Sequence, residues 1–308
     1  MSPAELPRIT VLLATYNGRR WLPEQLDSIL SQTDVVVRVV ALDDESTDGT
    51  GQWLAEAALT EPRLTVLAPE GRSGSAAANF FRLLARAPVD DADFVALSDQ
   101  DDVWLPGKLA RHARLMREHG YDGVSSNVTS FSPDGRRTLI RKDYPQREFD
   151  FLTESPGPGC TFLLSPRLVS LVRDVIAHDD VSVIDFHDSL IYAIARSRGW
   201  QWHIDGEPTV DYRQHDANVM GSNVGAAGAF SRFDLIRRRW HRNQAILMGS
   251  IGLGLADDDM KDAIGGMLRL MTTPGPRARS ALAARAAQLR RRPRDARIIG
   301  ALIASGIW

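Results

Sequence analysis

The sequence predicts a doubly wound α/β fold, in which helices cover both faces of a mainly parallel sheet, followed by a helical C-terminal extension. First, apolar strand-like runs alternate with helix-like segments four times within about the first 100 residues. Second, these runs are apolar throughout, which is typical of parallel strands buried on both faces. Third, polar clusters follow three of the runs, at the position where ligands bind in this fold class.

The first four predicted strands are short apolar runs bounded by turn-forming residues, and they cover residues 9–14, 35–42, 64–67 and 93–98. Helices are predicted between them, at 19–31, around Trp53 and Leu54, and at 76–87. Pro23 is compatible with the first helix because it falls in the first turn. The segment 46–48 has the composition of an N-cap for the second helix.

Beyond residue 100, helices are predicted at 105–119, 166–178, 187–198 and 277–292. Further strands are predicted at 121–131, 160–164, 202–204 and 209–212. The Gly/Asn/Ala-rich segment 221–228 is typical of a flexible link. We therefore predict a catalytic domain over 1–220 and a basic helical region over 221–308.

The net charge of −2 conceals an asymmetry between the two regions. Residues 230–308 contain 15 Lys and Arg against 6 Asp and Glu, which leaves a net charge of −11 for residues 1–229. The arginines form no recognisable nucleic-acid-binding motif, so no nucleic-acid partner is expected. Basic side chains near the apolar end, 298–308, favour peripheral contact with an anionic membrane. Packing on the catalytic domain or on a second subunit of a homo-oligomer is the alternative.

Other features of the sequence indicate a cytoplasmic protein, with the inner face of the cytoplasmic membrane as a second location. The only cysteine is Cys160, which excludes a disulfide within the chain and a Cys-rich zinc site. The N-terminal residues lack a secretory pattern, and no charge-free apolar run reaches the length of a transmembrane helix.

An acidic cluster after the fourth strand is the strongest indication of chemistry. Asp99, Asp101 and Asp102 follow the apolar run 94–97 directly. Carboxylates this close repel one another, and a divalent cation or the donor groups of a ligand would neutralise them. The cluster therefore predicts a metal and phosphate site. The acidic residues at 43–48 allow a structural interpretation as well, as turn and cap residues.

Four segments, taken together and in this order, resemble family 2 glycosyltransferases of the GT-A fold, which is Rossmann-like. They are TVLLATYNG at 10–18, LDDESTDGT at 42–50, LSDQDDVWLP at 97–106 and YRQH at 212–215. The last two are most similar to rhamnosyltransferases of bacterial surface-polysaccharide assembly. The resemblance extends over about residues 8–220.

The resemblance implies a nucleotide-diphosphate-sugar donor and a Mg²⁺ or Mn²⁺ ion. The residues implied in donor binding are Thr15, Tyr16, Asn17, Asp44, Asp99 and Gln100. Asp101 would ligate the ion, and His215 would be an additional ligand or a diphosphate contact. Two positions depart from the family pattern: the loop 70–74 lacks the usual Asn, and Ala78 replaces a basic residue. These departures weaken the case for diphosphate contacts from this loop.

The resemblance also implies a catalytic base, Asp188, at the start of a helix, where a helix-capping role is the structural alternative. Five residues are candidates for acceptor contact or have no resolved role: Asp102, Trp104, Gly159, Cys160 and His187. For Asp102, a metal ligand and a helix cap are the alternatives to an acceptor contact. Trp104 is interpreted as packing beneath the site, with stacking on a sugar as the alternative. Cys160 is expected to be a small buried residue, and Gly157 and Gly159 suggest a close approach of a substrate.

These inferences predict an inverting, metal-dependent glycosyltransferase that transfers rhamnose from dTDP-rhamnose to a hydroxyl of a cell-surface glycan or lipid-linked acceptor. Transfer of glucose, galactose or GlcNAc from a UDP donor is an alternative. A nucleotidyltransferase is a second alternative, although residues 15–20 lack the usual Gly-rich basic loop. A non-catalytic nucleotide-sugar-binding protein is a third, although both the base and the metal carboxylate are present.

Overall fold

The computed structural model describes residues 5–215 and 239–308. The chain forms two compact units, and each is described by itself. The first unit comprises Met1–Lys142, Gly157–Asp188 and Gln201–Arg213, and the second comprises Asp143–Pro156, Ser189–Trp200 and Gln214–Trp308. The domain boundary predicted at 220–221 lies outside the described residues and stays a prediction.

A seven-stranded sheet forms the centre of the first unit. Its strands, in their order across the sheet, are Trp202–Asp205 (β10), Gly123–Ser126 (β6), Leu163–Leu164 (β9), Phe94–Ser98 (β4), Arg8–Thr15 (β1), Val36–Asp43 (β2) and Leu64–Val66 (β3). Neighbouring strands are parallel except for β9, which runs antiparallel to both β4 and β6. The helices of this unit are Leu22–Leu30 (α1), Thr50–Thr60 (α2), Ala76–Arg86 (α3), Lys108–His119 (α4) and Pro166–His178 (α5). The predicted α/β class is confirmed.

The central strand β1 shows why the apolar runs are continuous rather than alternating. Its consecutive side chains Val11, Leu12 and Leu13 alternate between the two faces of the sheet, and each is 0% exposed. Both faces of the strand are therefore buried, as expected for a parallel sheet between helices. On one face, Leu22 and Leu54 of the covering helices belong to the same apolar core as Val11.

The run 121–131 is two strands rather than the single strand predicted. Gly123–Ser126 joins the large sheet, whereas Val128–Phe131 (β7) belongs to a four-stranded sheet with Val103–Trp104 (β5), Val210–Arg213 (β11) and Arg137–Ile140 (β8). Asn127 lies between the two strands. Its Nδ2 donates to the carbonyl of Gly206 at 2.8 Å and its Oδ1 accepts from the N–H of Lys142 at 2.5 Å. The backbone N–H of Asn127 also donates to the carbonyl of Asp205 at 3.0 Å, so backbone and side-chain bonds together hold the chain where it changes sheets.

The predicted N-cap at 46–48 is also wrong in detail. The N-cap of α2 is Gly49, which has a left-handed conformation with φ of 87° and makes no side-chain cap bond. Asp48 instead accepts hydrogen bonds from the backbone N–H and the hydroxyl of Thr50, at 3.0 and 2.6 Å. Asp48 is therefore a turn residue, in agreement with the structural interpretation of this segment.

The second unit is helical in the part that the structure describes. The helix His187–Ser197 (α6) begins in the first unit and continues in the second. It is followed by Trp240–Leu255 (α7), Asp258–Thr272 (α8), Pro276–Ala284 (α9), Ala286–Leu289 (α10) and Pro293–Ser305 (α11). The helix predicted at 277–292 is therefore interrupted. The carbonyl groups of Gln288 and Leu289 accept bonds from Phe149 and Thr153, where the helical segment ends.

A buried ionic network fixes the interior of this unit. Asp150 is 0% exposed, and it accepts bonds of 3.1 Å from the Tyr192 hydroxyl and from the guanidinium groups of Arg196 and Arg291. A buried carboxylate needs such donors to offset its desolvation. Among the described residues, no helix is long and apolar enough to cross a membrane.

Candidate active site

The ends of three neighbouring strands meet at the carboxyl edge of the large sheet. Thr15 at the end of β1 is opposite Asp43 at the end of β2, and Ser98 ends β4 on the other side of β1. The polar clusters at 15–18, 43–48 and 99–102 follow these strand ends directly. They therefore share one edge of the sheet, where ligands bind in this fold class.

Three carboxylates, those of Asp99, Asp101 and Asp102, follow β4. Asp102 is 1% exposed, and its Oδ1 accepts a bond of 3.0 Å from the backbone N–H of Arg213. Its Oδ2 is also buried and accepts no N–H or O–H bond within residues 5–215 and 239–308, and the Cys160 thiol is a weak donor to this carboxylate. A buried carboxylate oxygen with so weak a donor is costly. A bound cation would satisfy this atom.

The electrostatics of the cluster also favour a bound cation. Burial, together with the charges of Asp101 and Asp188, raises the pKa of Asp99 to about 7. Burial and the charges of Asp101 and Asp99 also raise the pKa of Asp102. Burial, with added contributions from Asp102 and Asp99, raises the pKa of the Tyr212 hydroxyl. The negative charges therefore destabilise one another, and a divalent cation would relieve that repulsion.

The Cys160 thiol lies beside these carboxylates. The candidate ligand atoms of Asp99, Asp102 and Cys160 lie within 4.8 Å of one another. Burial and the charges of Asp102 and Asp99 raise the pKa of the thiol, so without a bound cation the sulfur is protonated at neutral pH. Carboxylate oxygens are the donors that suit Mg²⁺ or Mn²⁺. The residues present therefore fit a hard cation held by oxygen, and Cys160 is buried as expected.

Asp188, the predicted base, lies in the first turn of α6. The positive end of the helix dipole stabilises a negative charge at this position. The charge of Asp188 contributes to the raised pKa of Asp99, so the two carboxyl groups are within electrostatic range of each other. The helix start and the acidic cluster are therefore neighbours within the first unit.

His187, next to the predicted base, is a packing residue in this structure. Its ring stacks on Phe80 with ring centroids 3.9 Å apart, and burial lowers its pKa to about 4. The imidazole is therefore neutral at physiological pH. A Cβ atom added at Gly159 would lie 2.4 Å from His187 Nε2. This contact explains the glycine without invoking a substrate.

Gln100 holds the loop after β1 rather than pointing away from the protein. Its Oε1 accepts from the N–H of Tyr16 at 2.7 Å, and its Nε2 donates to the carbonyl of Tyr16 at 2.8 Å. A Cβ atom at Gly18 would overlap the Gln100 amide at 2.2 Å. The amide thus fixes the backbone of Tyr16, and the glycine leaves room for it.

Thr15 and Asn17 brace the same loop. Thr15 is 1% exposed and donates from Oγ1 to Asp43 at 2.9 Å. The Oδ1 atom of Asn17 accepts from the N–H of Thr47 at 2.9 Å, and the N–H of Asn17 donates to Ser46 Oγ at 2.8 Å. Both side chains connect the ends of β1 and β2.

The Tyr16 ring is the exposed member of this loop, at 37% exposure. The Arg72 guanidinium lies over the ring, 4.5 Å from its centroid, and donates to the Tyr16 hydroxyl at 2.6 Å. Asp44 is 5% exposed and accepts from the N–H groups of Ser73 and Gly74. Asp44 thus anchors the loop that carries Arg72, a residue to which no role is assigned from the sequence.

Two other residues gain importance only in the structure. Arg213 follows Tyr212 in β11, and its Nε donates to the carbonyl of Asp101 at 2.7 Å while its Nη2 contacts Glu24 at 2.6 Å. Lys108 is 1% exposed, and its Nζ lies 3.7 Å from the ring centroid of Trp104. Trp104 is itself 2% exposed, which agrees with packing and leaves no surface for sugar stacking.

The sequence contains a signal for two of these residues. Arg213 is part of the YRQH segment, and Lys108 follows Trp104 by four residues. His215 falls in the second unit and is half-buried. Its predicted role as a metal ligand or diphosphate contact stays a prediction.

An acidic cluster and an exposed tyrosine share one edge of a mainly parallel sheet, with a carboxylate at a helix start in electrostatic range, which suits an α/β enzyme that binds a nucleotide diphosphate. The sequence profile described as Glycosyl transferase family 2 matches residues 10–176. The chain belongs to this family, as the sequence motifs predict, and it is a glycosyltransferase that uses a nucleotide-sugar donor.

Named relatives agree with this assignment. The chain is 34% identical over 249 residues to the dTDP-rhamnosyl transferase RfbG of Shigella flexneri, a match that covers 80% of this chain and 85% of the relative. It is 32% identical over 129 residues to the putative teichuronic acid biosynthesis glycosyltransferase TuaG of Bacillus subtilis, over 42% of this chain and 50% of that protein.

Solved structures show the same fold at lower identity. S. aureus TarS 1–349 in complex with UDP-GlcNAc aligns with a TM-score of 0.57 at 19% identity, over 92% of this chain and 82% of that one. The mannosyltransferase PcManGT of Pyrobaculum calidifontis, in complex with GDP-Man and Mn²⁺, aligns with a TM-score of 0.53 at 21% identity, over 99% and 82%.

The buried Lys108 predicts a pH-dependent stability difference. Burial lowers its pKa from 10.5 to about 7. Between pH 7 and 10 the folded state has lost a proton that the unfolded state retains, so the lysine contribution to the free energy of unfolding rises with pH, by up to about 1.4 kcal/mol per pH unit. Urea denaturation of wild type and Lys108→Met should show a difference, wild type minus variant, that increases over this range.

Lys261→Met is the control, because its side chain is 48% exposed and pairs with Asp258 on the surface of α8. Its difference from wild type should stay level. A level difference for Lys108→Met as well would contradict the burial of a titrating lysine beneath Trp104.

Proposed function

We propose that the protein is an inverting, divalent-cation-dependent transferase that moves rhamnose from dTDP-rhamnose to a hydroxyl of a cell-surface glycan or lipid-linked acceptor. The observation that carries this proposal is the electrostatic coupling of Asp188 to Asp99. It supports a candidate base and a candidate cation site within electrostatic range of each other, as transfer from a nucleotide diphosphate requires.

The carboxylates of Asp99, Asp101 and Asp102 are the groups that would hold the cation. The raised pKa of Asp99 and the buried Oδ2 of Asp102, which accepts no N–H or O–H bond among the described residues, support this assignment. When bound, a divalent cation neutralises the charge that the leaving nucleoside diphosphate gains. The Arg213 side chain donates to the carbonyl of Asp101, and the Arg213 backbone N–H donates to the carboxylate of Asp102. Arg213 would therefore keep both residues in place.

Asp188 is proposed to take the proton of the acceptor hydroxyl. As the acceptor oxygen forms its bond to the anomeric carbon, the bond from that carbon to the diphosphate oxygen breaks, and the proton passes to the carboxylate of Asp188. The transition state has oxocarbenium character, as in glycoside hydrolysis. Attack on the face opposite to the leaving group inverts the anomeric configuration.

The exposed Tyr16 ring is proposed to contact the nucleotide base. Gln100 fixes its backbone, and Arg72 covers part of the ring with a cation. Arg72 would then lie where a phosphate or a base carbonyl can reach it. The Asp44 carboxylate and the Gln100 amide already bind backbone groups, so we assign both to positioning the loops rather than to direct contact with the sugar donor.

The donor sugar is supported by the relative from Shigella flexneri, whose name states dTDP-rhamnosyl transfer. A UDP-sugar remains the second candidate because S. aureus TarS, solved with UDP-GlcNAc, shares the fold. Membership of the family removes the nucleotidyltransferase and the non-catalytic binding protein from consideration.

A donor panel tests the sugar and the cation together. Release of nucleoside diphosphate, with water in the place of the acceptor, is measured for dTDP-rhamnose, UDP-glucose, UDP-galactose, UDP-GlcNAc and GDP-mannose, each with Mn²⁺ or with EDTA. We expect turnover with dTDP-rhamnose and Mn²⁺ and its loss with EDTA. Faster turnover of a UDP-sugar would replace the proposed donor, and full activity in EDTA would remove the cation from the mechanism.

The Asp188→Asn substitution tests the base. It removes the proton acceptor but retains the shape of the side chain, so hydrolysis of the donor should fall at least ~100-fold, the usual contribution of a general base. Calorimetry should show donor affinity within about threefold of wild type. Asp179→Asn, at an exposed position after α5, is the control and should keep full activity. Equal activity in the two variants would exclude Asp188 as the base.

A further inference from the structure

A groove in the second unit is lined by arginines and small apolar residues, and we call it the arginine groove. Its lining residues are Arg147, Ala283, Ala284, Ala286, Ala287, Arg290, Arg291, Pro293, Ala296, Arg297 and Gly300. The groove has a volume of about 560 Å³. No acidic side chain is among the lining residues, so the groove combines four positive charges with an apolar floor.

Close helix packing forms the floor. A Cβ atom added at Gly300 in α11 would lie 3.2 Å from the Cβ of Ala286 in α10. The glycine therefore allows α11 to approach α10, and the alanines leave space that larger side chains would fill. A shallow apolar surface of this kind can receive hydrocarbon but offers few hydrogen bonds.

The two inner arginines are held by carboxylates behind the groove. Arg291 is 3% exposed and pairs with Asp150 and Glu154, each at 3.1 Å. Arg290 pairs with Glu154 at the longer distance of 3.5 Å. Burial lowers the pKa of Arg290, which indicates that this pairing does not offset the desolvation of its guanidinium. A second anion in the groove would supply the missing stabilisation.

The two outer arginines have no such partner. Arg147 and Arg297 are exposed, and neither forms an ion pair with a carboxylate in the described part of the chain, 5–215 and 239–308. Planar guanidinium groups bind phosphate oxygens with paired hydrogen bonds. The groove thus has fixed inner cations and available outer cations, an arrangement suited to a phosphate group.

The surface next to the groove continues the combination of charge and apolarity. On α11, Arg294, Arg297 and Ile298 lie on one face by helical spacing, and Ile298 is 50% exposed. Ile307, just after the helix, is also 50% exposed. Exposed apolar side chains between arginines are typical of surfaces that lie on anionic lipid. They distinguish this site from a pocket for a small soluble anion.

We infer that the arginine groove binds the phosphate group of an anionic lipid, with the alanine floor against the first apolar atoms of that lipid. This inference is independent of the proposed transfer reaction, because binding needs neither donor nor acceptor. It gives the basic C-terminal region a defined contact in place of a general attraction to negative charge.

The test uses the full chain and sedimentation with vesicles of dioleoyl phosphatidylcholine, with and without dioleoyl phosphatidic acid. The double variant Arg147→Gln/Arg297→Gln removes the outer cations. Arg285→Gln/Arg292→Gln removes the same charge from exposed positions outside the groove. Wild type should bind only the vesicles that contain phosphatidic acid. The groove variant should bind them roughly 10- to 30-fold more weakly, and the control variant within about threefold of wild type.

Equal weakening of the two variants would overturn the inference, because it would show attraction to charge without a site. Absence of vesicle binding by wild type would overturn it as well. Calorimetry with inorganic pyrophosphate separates the sources of phosphate. Binding of pyrophosphate that is lost in the groove variant, without binding to vesicles, would assign the groove to a soluble anion and contradict the lipid.

Discussion

The repulsion among the carboxylates at the end of β4 is the constraint on which the site depends. Burial and like charge raise the pKa of Asp99 and of Asp102, and one buried oxygen of Asp102 accepts no N–H or O–H bond among the described residues. Such a cluster is unfavourable by itself, and a protein retains it where a cation or a phosphate-bearing ligand compensates. Carboxylate oxygens prefer hard cations, so Mg²⁺ or Mn²⁺ suits this cluster better than a metal that prefers sulfur. This preference for a hard cation agrees with a transferase that uses nucleotide sugars.

Hydrogen bonds to the backbone keep the elements around this cluster in position. Gln100 closes a two-way bond with Tyr16, Asp44 binds the loop that carries Arg72, and Arg213 binds the backbone of the acidic segment. Each of these bonds connects residues from different strand ends. The side chains that connect loops are therefore distinct from those left exposed for a ligand, such as the Tyr16 ring. Several of the polar residues in the family motifs have this positioning role.

The central strands could be predicted from the sequence because both faces of the sheet are buried, so that the apolar runs β1, β2 and β4 are continuous. The convergence of the polar clusters followed from the same reasoning. The division of 121–131 was not predicted although Ser125, Ser126 and Asn127 interrupt its apolar pattern, because the bonds that hold Asn127 involve residues distant in the chain. The bond between Gln100 and Tyr16 spans 84 residues, and no local pattern indicates it. The arginine groove likewise depends on how α9, α10 and α11 pack, which composition alone does not give.

The binding of Mn²⁺ tests the central claim most directly, since it depends on the carboxylate cluster and not on the identity of the sugar or the acceptor. The loss of the free-ion electron paramagnetic resonance signal can be measured in the presence of dTDP for wild type and for Asp101→Asn. Asp134→Asn, in the turn between β7 and β8, is the control. We expect wild type and the control to take up one ion per chain and Asp101→Asn to lose most of this binding. Equal uptake by all three proteins, or no uptake by wild type, would contradict the account.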